Sequence, residues 1–318
     1  MAADYLHNHK DFESLLRIVA EEKGIIPGLV EKDYWLMHVL NGLQLQQFSF
    51  ELKGGTSLSK GYKVIDRFSE DIDIHFKPPA EMGVNENLNN TKAGAVQKRK
   101  EFYDWLGKEI KIDGIINVTR DTEFDEERYY RSGGIRLYYD NKFEPVQGIK
   151  EGILLEAGFD TVTPNHKLTL SSWALDKALG TADVDIINNM GVGIDCYDKG
   201  YTFVEKLQTI ATKFRNEQTG ITKRPNFMRQ YYDLACLLKD KDVLEFIGTA
   251  EYVTHKKKRF PAEDLSIAIK ENQAFLLEDN DLRKDFKKRY EETASLYHNG
   301  QPPFEELLSI IQRHLERL

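Results

Sequence analysis

Apolar residues recur along this chain in two rhythms. Between residues 10 and 46 they keep helical spacing, with Val30, Tyr34, Met37 and Leu40 on one side. Gly24 and Gly28 interrupt the run and predict two helices rather than one. Phe48 to Leu52 reads as a short strand that runs into Gly54-Gly55, and residues 56–64 suit a short helix. Residues 69–76 alternate as a strand does, until Pro78-Pro79 ends it. An Asn- and Gly-rich loop at 83–94 precedes a helix at 95–111 with Phe102, Trp105, Leu106 and Ile110 on one side. Strands are expected at 115–119, 134–139 and 152–159, with a charged hairpin or loop at 120–131 between the first two.

Residues 160–200 are mixed and predict no definite element. From about Tyr201 the pattern is helical almost to the end, with helices expected at 201–216, 226–239, 241–250, 262–276, 281–296 and 303–317. Pro225, Pro261 and Pro302-Pro303 mark helix starts. The expected fold is therefore α+β: a mixed sheet flanked by helices, then a C-terminal helical bundle. The expected division is 1–200 (sheet core about 47–160) and 201–318.

At 318 residues the chain is long for one domain and comfortable for two. No apolar run approaches the roughly 18–20 residues of a membrane span. The polar first eleven residues lack the apolar centre of a signal peptide. Cys196 and Cys236 are far apart and belong to no Cys/His cluster, which argues against structural zinc and suits a reducing cytoplasm. The net charge of −8 is uneven: residues 201–318 carry 20 Lys+Arg against 19 Asp+Glu, the first 200 carry 24 against 33. Such a chain is a poor general binder of nucleic acid, whose affinity comes from basic groups. The basic run His255 to Arg259 is the local exception, and reads first as a solvated loop or helix end.

The chemistry concentrates in Lys53-Gly54-Gly55-Thr56-Ser57-Leu58-Ser59-Lys60 and Ser69-Glu70-Asp71-Ile72-Asp73-Ile74-His75-Phe76. Glycines let the backbone approach a ligand, and N–H groups opening a helix suit a phosphate. Thr56 and Lys60, four apart, would share a helical face toward it. Strand parity puts Ser69, Asp71, Asp73 and His75 on one face and Phe68, Ile72, Ile74 and Phe76 on the other, with Glu70 the exception. The two Asp Cα atoms then lie about 6–7 Å apart. Without a cation such carboxylates repel each other; with substrate phosphates they are the usual surroundings of Mg²⁺.

A two-metal transfer centre normally needs a third carboxylate. Glu156, the only charge inside the apolar run 152–159, is the favoured candidate, and Asp160 is the other. An ion pair with a basic residue such as Arg136 is the bland explanation of Glu156.

Five short motifs together resemble the AbiEii/AbiGii toxin family, nucleotidyltransferase-like proteins of bacterial abortive-infection and type IV toxin–antitoxin systems. They are Glu31-Lys32-Asp33-Tyr34, Lys53 to Lys60, Arg67 to Asp73, Glu205-Lys206-Leu207 and Arg229-Gln230-Tyr231-Tyr232-Asp233-Leu234, spread over about residues 30–240 in the family's order. The resemblance implies a polymerase-β-like fold, a nucleoside triphosphate bound with Mg²⁺ (or Mn²⁺), transfer to an RNA acceptor such as tRNA, and a cognate antitoxin. It implies catalytic roles for Lys206 and Asp233, and adds Lys206 to a nucleotide-binding set of Gly54, Gly55, Thr56, Ser57, Lys60 and Ser69. Gln230 stands where the family more often has an acid. On this reading Asp71, Asp73 and Glu156 hold the metal. A nucleotide-binding module with no transfer chemistry is the second reading, and would hold if Glu156 pointed into the core. A glycosyltransferase using Asp-x-Asp is the third, but a Gly-Gly cradle so close ahead of the Asp pair fits it poorly.

Overall fold

The computed structural model describes residues 3–146, 148–160, 162–181, 185–220 and 225–318. The chain divides into two compact units: residues 1–61 with 68–197, and residues 62–67 with 198–318.

The first unit is built on seven strands: β1 (Phe50–Lys53), β2 (Asp71–Phe76), β3 (Ile115–Asp121), β4 (Ser132–Tyr139), β5 (Ile153–Gly158), β6 (Asn165–Leu170) and β7 (Gly191–Tyr197). They form one mixed sheet in the order β3-β4-β5-β2-β1-β7-β6. β2 is parallel to β5 and antiparallel to β1, and β1 is parallel to β7. The sheet thus extends past residue 160. β6 and β7 fall in the stretch where the pattern predicted nothing definite. Gly191 and Gly193 dilute the apolar alternation of β7, which is recognisable only by its partners β1 and β6.

Helices α1 (Phe12–Lys23), α2 (Pro27–Leu45), α3 (Gly54–Thr56), α4 (Ala93–Glu109) and α5 (Trp173–Leu179) complete this unit. Gly24, at φ 64°, ends α1 in the left-handed conformation that glycine adopts without strain, and Pro27 opens α2. α2 is buried on nearly all sides, from Leu29 to Leu43, and packs against α1, α5, β5 and β7. A helix buried all round carries no clear amphipathic stripe. Its polar residues must therefore find partners inside the protein.

His38 shows the consequence. Its Nε2 lies 2.9 Å from the Asp113 carbonyl and its Nδ1 2.8 Å from the Asn189 amide nitrogen. This pattern suits the neutral ring, with Nε2–H donating and Nδ1 accepting. Burial pushes the imidazole down to about 4. A base with a depressed value contributes stability above its unfolded value, near 6.5, and loses it as pH falls toward 4. The difference amounts to about 3 kcal/mol. All three tryptophans (Trp35, Trp105, Trp173) lie in this unit. Urea melts followed by their fluorescence should therefore show that loss between pH 7.5 and 4.5, and His38→Gln should flatten the slope. An unchanged slope in the variant would assign it to other groups.

The second unit is helical: α6 (Lys199–Gln218), α7 (Arg229–Leu237), α8 (Lys241–Phe246), α9 (Ala250–Arg259), α10 (Ala262–Leu265), α11 (Gln273–Leu276), α12 (Asn280–Glu291) and α13 (Phe304–Gln312). Asp198 caps α6, accepting from the N–H groups of Gly200 and Tyr201. The single helix expected at 262–276 is broken. Asn272 accepts from Ala274 N–H and starts α11 afresh, while Asp264 is engaged by Arg215 at 2.7 Å. The basic run is the end of α9, and several of its members turn inward. His255 is buried against the Tyr201 ring, and Arg259 lies 3.5 Å from Glu205.

Candidate active site

β2 presents Asp71, Asp73 and His75 on its half-exposed face and buries Ile72, Ile74 and Phe76 on the other, the parity its sequence predicts. The strand begins at Asp71, so Ser69 and Glu70 precede it. Register then decides the neighbours. Asp73 lies opposite Lys53 of β1 on one side and Glu156 of β5 on the other, and Asp71 lies opposite Leu154. Register partners share a face, so Glu156 stands with the two aspartates. Its side chain keeps 37% of its exposure, far from a core position. Arg136 is occupied elsewhere, with Nε 2.6 Å from Asp121 Oδ2 and Nη1 donating to the Glu151 carbonyl at 2.6 Å. Asp160 lies past the end of β5, 3.6 Å from Lys53 Nζ.

Lys150 brings a cation to this centre. Its ammonium donates to Asp71 Oδ2 at 2.7 Å, lies 3.5 Å from Glu156 Oε1 and sits 4.5 Å from the centroid of the Phe124 ring. Burial raises the Asp71 carboxyl, Glu70 and Asp73 raise it further, and Lys150 opposes them. Glu156 is pushed up to about 7, first by burial and then by repulsion from Asp73 and Asp71, with Lys150 again opposing. Carboxylates crowded in this way signal a site where negative charge has been concentrated against its own repulsion.

Gly54 is required here twice over. Its φ is 72°, and a Cβ at that position would fall 1.9 Å from Asp73 Oδ2. The carboxylate therefore lies directly over the Gly54 backbone. Gly54→Ala should cost about 1–2 kcal/mol in backbone conformation and drive Asp73 from its place. A melting point lowered by a few degrees, with transfer activity reduced far beyond what the unfolded fraction explains, is the expected result. Activity falling only in step with unfolding would deny Asp73 its link to Gly54.

The rest of the cradle differs from the expected outward-facing helix. α3 makes one turn, and Ser57–Gly61 continues as a π-helix, in which residues four apart no longer stack. Thr56 is buried and donates to the Asp71 carbonyl at 2.6 Å; Ser57, also buried, donates to the Gly54 carbonyl at 2.9 Å. The Lys60 ammonium pairs with buried Asp33 and lies 4.1 Å from the centroid of the Trp173 ring. Thr56 and Lys60 thus brace the cradle from inside, because hydroxyl and ammonium each find a nearer internal partner.

α2 ties these parts together. Lys32 donates to the Gly152 carbonyl at 2.7 Å and to the Lys150 carbonyl, and burial pushes its ammonium down to about 8. Glu31 accepts from Lys142 N–H at 2.8 Å. Asp33 holds Lys60 and accepts from Trp173 N–H at 2.8 Å. The Glu-Lys-Asp run is the anchor of three loops. Sequence reasoning gave it no role, although three consecutive charges at a helical position with apolar neighbours were the available signal.

The family model of the nucleotidyl transferase AbiEii toxin of type IV toxin–antitoxin systems matches residues 40–310. The chain belongs to the AbiEii family. It is a nucleotidyltransferase toxin by that membership. Among solved structures, it is similar to the crystal structure of an antigenic nucleotidyltransferase-like protein from Paracoccidioides brasiliensis. That protein is 12% identical with a TM-score of 0.38, over 81% of this chain and 93% of that one. A search of curated proteins returned no match. Among the described residues no helix is long and apolar enough to cross a membrane.

Lys206 and Asp233, the two later family positions of this AbiEii member, meet in the second unit. Asp233 is fully buried. It accepts from Lys206 Nζ at 2.8 Å and, in a bidentate pair, from Arg67 Nε at 2.6 Å and Nη2 at 2.7 Å. Burial works to raise this carboxyl, but Arg67 and Lys206 outweigh it and hold it at about 2. Asp233, given a catalytic role by the family resemblance, lies in the core of its unit. Arg67, like Lys150, received no role from the sequence. It belongs to the hexapeptide 62–67, which packs with the helical unit although it precedes β2 in the chain.

The acidic centre of this AbiEii chain fits a hard divalent cation in its chemistry: oxygen donors only, with Asp71 Oδ1 buried and without a hydrogen-bond partner. As the side chains stand, no group of three or more His, Cys, Asp or Glu residues among the described ones is set to hold a metal. Lys150, rather than mutual convergence, holds Asp71 and Glu156.

Proposed function

We propose that this toxin transfers a nucleotide from a nucleoside triphosphate to a hydroxyl of RNA, with tRNA as the leading acceptor. The observation that carries the proposal is the register of β2 against β5. It brings Asp71, Asp73 and Glu156 to one face of the sheet, with the Asp73 carboxylate over the Gly54 backbone. Asp71, Asp73 and Glu156 would hold Mg²⁺ or Mn²⁺. When bound, the ion would supply charge stabilisation to the phosphoryl oxygens.

The chain's own groups do the rest. Gly54 and Gly55 allow the backbone to approach the phosphates, with Ser69 on the approach to β2. Thr56, Ser57 and Lys60 keep that turn in shape. One of Asp71, Asp73 and Glu156 would accept the proton of the acceptor hydroxyl. The acceptor oxygen bonds to the α-phosphorus as pyrophosphate leaves. Arg67, Lys206 and Asp233 together carry one net positive charge. Lys206, the more exposed of the two cations at 11% against 5%, would offer it to the triphosphate or the acceptor.

The half-exposed position of Glu156 supports transfer chemistry over a silent nucleotide-binding module, which called for a core-facing Glu156. The test is incubation with each labelled nucleoside triphosphate, Mg²⁺ and total bacterial RNA. Label entering RNA is expected. Label in neither RNA nor protein, with any nucleotide, would overturn the proposal.

A further inference from the structure

We propose that Lys150 is an internal counter-cation that competes with the divalent metal for Asp71 and Glu156, so that metal loading requires its ammonium to leave. The inference rests on the metal-dependent transfer proposed above and adds to it a device that holds the acidic centre closed.

Three observations carry it. First, the ammonium is placed between two of the three carboxylates, 2.7 Å from Asp71 Oδ2 and 3.5 Å from Glu156 Oε1. A divalent ion shared by those carboxylates would need the same oxygens, and two cations cannot occupy one position. Second, the backbone of Lys150 is fixed at both ends of its peptide unit. Its N–H donates to Glu70 Oε2 at 3.2 Å, and its carbonyl accepts from the buried Lys32 ammonium. The loop therefore stays in place, and only the four-carbon side chain has to swing. Third, the Phe124 ring faces the ammonium at 4.5 Å in the position it already holds, and an aromatic face attracts a cation, so the ring helps to keep the ammonium on the two carboxylates. The lysine thus offsets part of the negative charge of the three crowded carboxylates, at the expense of metal affinity.

The full chain should be titrated with Mn²⁺ alone, with free ion followed by electron paramagnetic resonance. Lys150→Gln should bind Mn²⁺ at least tenfold more tightly than the native protein, and Mn²⁺ should raise its melting temperature more. Lys150→Arg keeps the positive charge and should bind as the native protein does. Asp71→Asn should remove the site in either background. Binding in Lys150→Gln that is Asp71-dependent but no tighter than native would overturn the competition and leave the metal-dependent function standing. The absence of any Asp71-dependent Mn²⁺ binding, in native protein and variants alike, would overturn both.

Discussion

Asp73→Asn should abolish nucleotide transfer, by on the order of 10³-fold or more, since metal ligands exceed in importance the outer residues that cost 10–100-fold when removed. The protein should stay folded. Asp73 adds to the charge repulsion on both Asp71 and Glu156, so its neutralisation relieves strain in the metal-free centre. The melting temperature is expected to hold or rise slightly, and the Glu156 carboxyl should move down from about 7. Asparagine fills the same space over Gly54, so the cradle keeps its shape. A gel assay for labelled RNA beside a thermal melt checks both halves. Full activity in a folded Asp73→Asn protein would sink the assignment of this face as the centre of transfer.

Asp233→Ala should destabilise the helical unit by about 3–5 kcal/mol, because it leaves two cations buried without their shared anion. Activity measured on that variant alone says nothing about chemistry, since the unit that carries Lys206 is compromised. The informative protein is the triple replacement Arg67→Met, Lys206→Met, Asp233→Leu. Swapping a whole buried ionic group for apolar side chains of similar size is neutral or stabilising in comparable cases. Denaturant melts should return close to native stability, while transfer remains lost if Lys206 serves the triphosphate. A triple variant that is both stable and fully active would reduce the trio to a structural clamp and remove Lys206 and Asp233 from the reaction.

Much of the acidic centre was legible from residue order. Strand parity alone put Asp71 and Asp73 together, and Glu156 stood out as a lone charge in an apolar run. Lys150 gave no such signal. It lies in an irregular loop just ahead of β5, and only that loop's attachment to α2 and Glu70 carries its ammonium to Asp71. Lys60 failed in the opposite sense. Its spacing from Thr56 suggested a shared outward face, but local winding as a π-helix and the pull of buried Asp33 turned it inward. Arg67 sat inside a recognised motif with no role, because its partner Asp233 is 166 positions away in sequence.

By itself the sequence determined which strand face is acidic, that a glycine turn precedes it, and that the C-terminal part is helical. These follow from periods of two and 3.6 residues and from the special backbone freedom of glycine, all properties of neighbouring residues. The tertiary structure decided which strand lies beside β2, which cation answers its carboxylates, and what the buried charges of α2 and α7 are for. Those outcomes depend on sheet order and loop anchoring. Local periodicity carries no information about either, since a charge finds its partner through space and not along the chain.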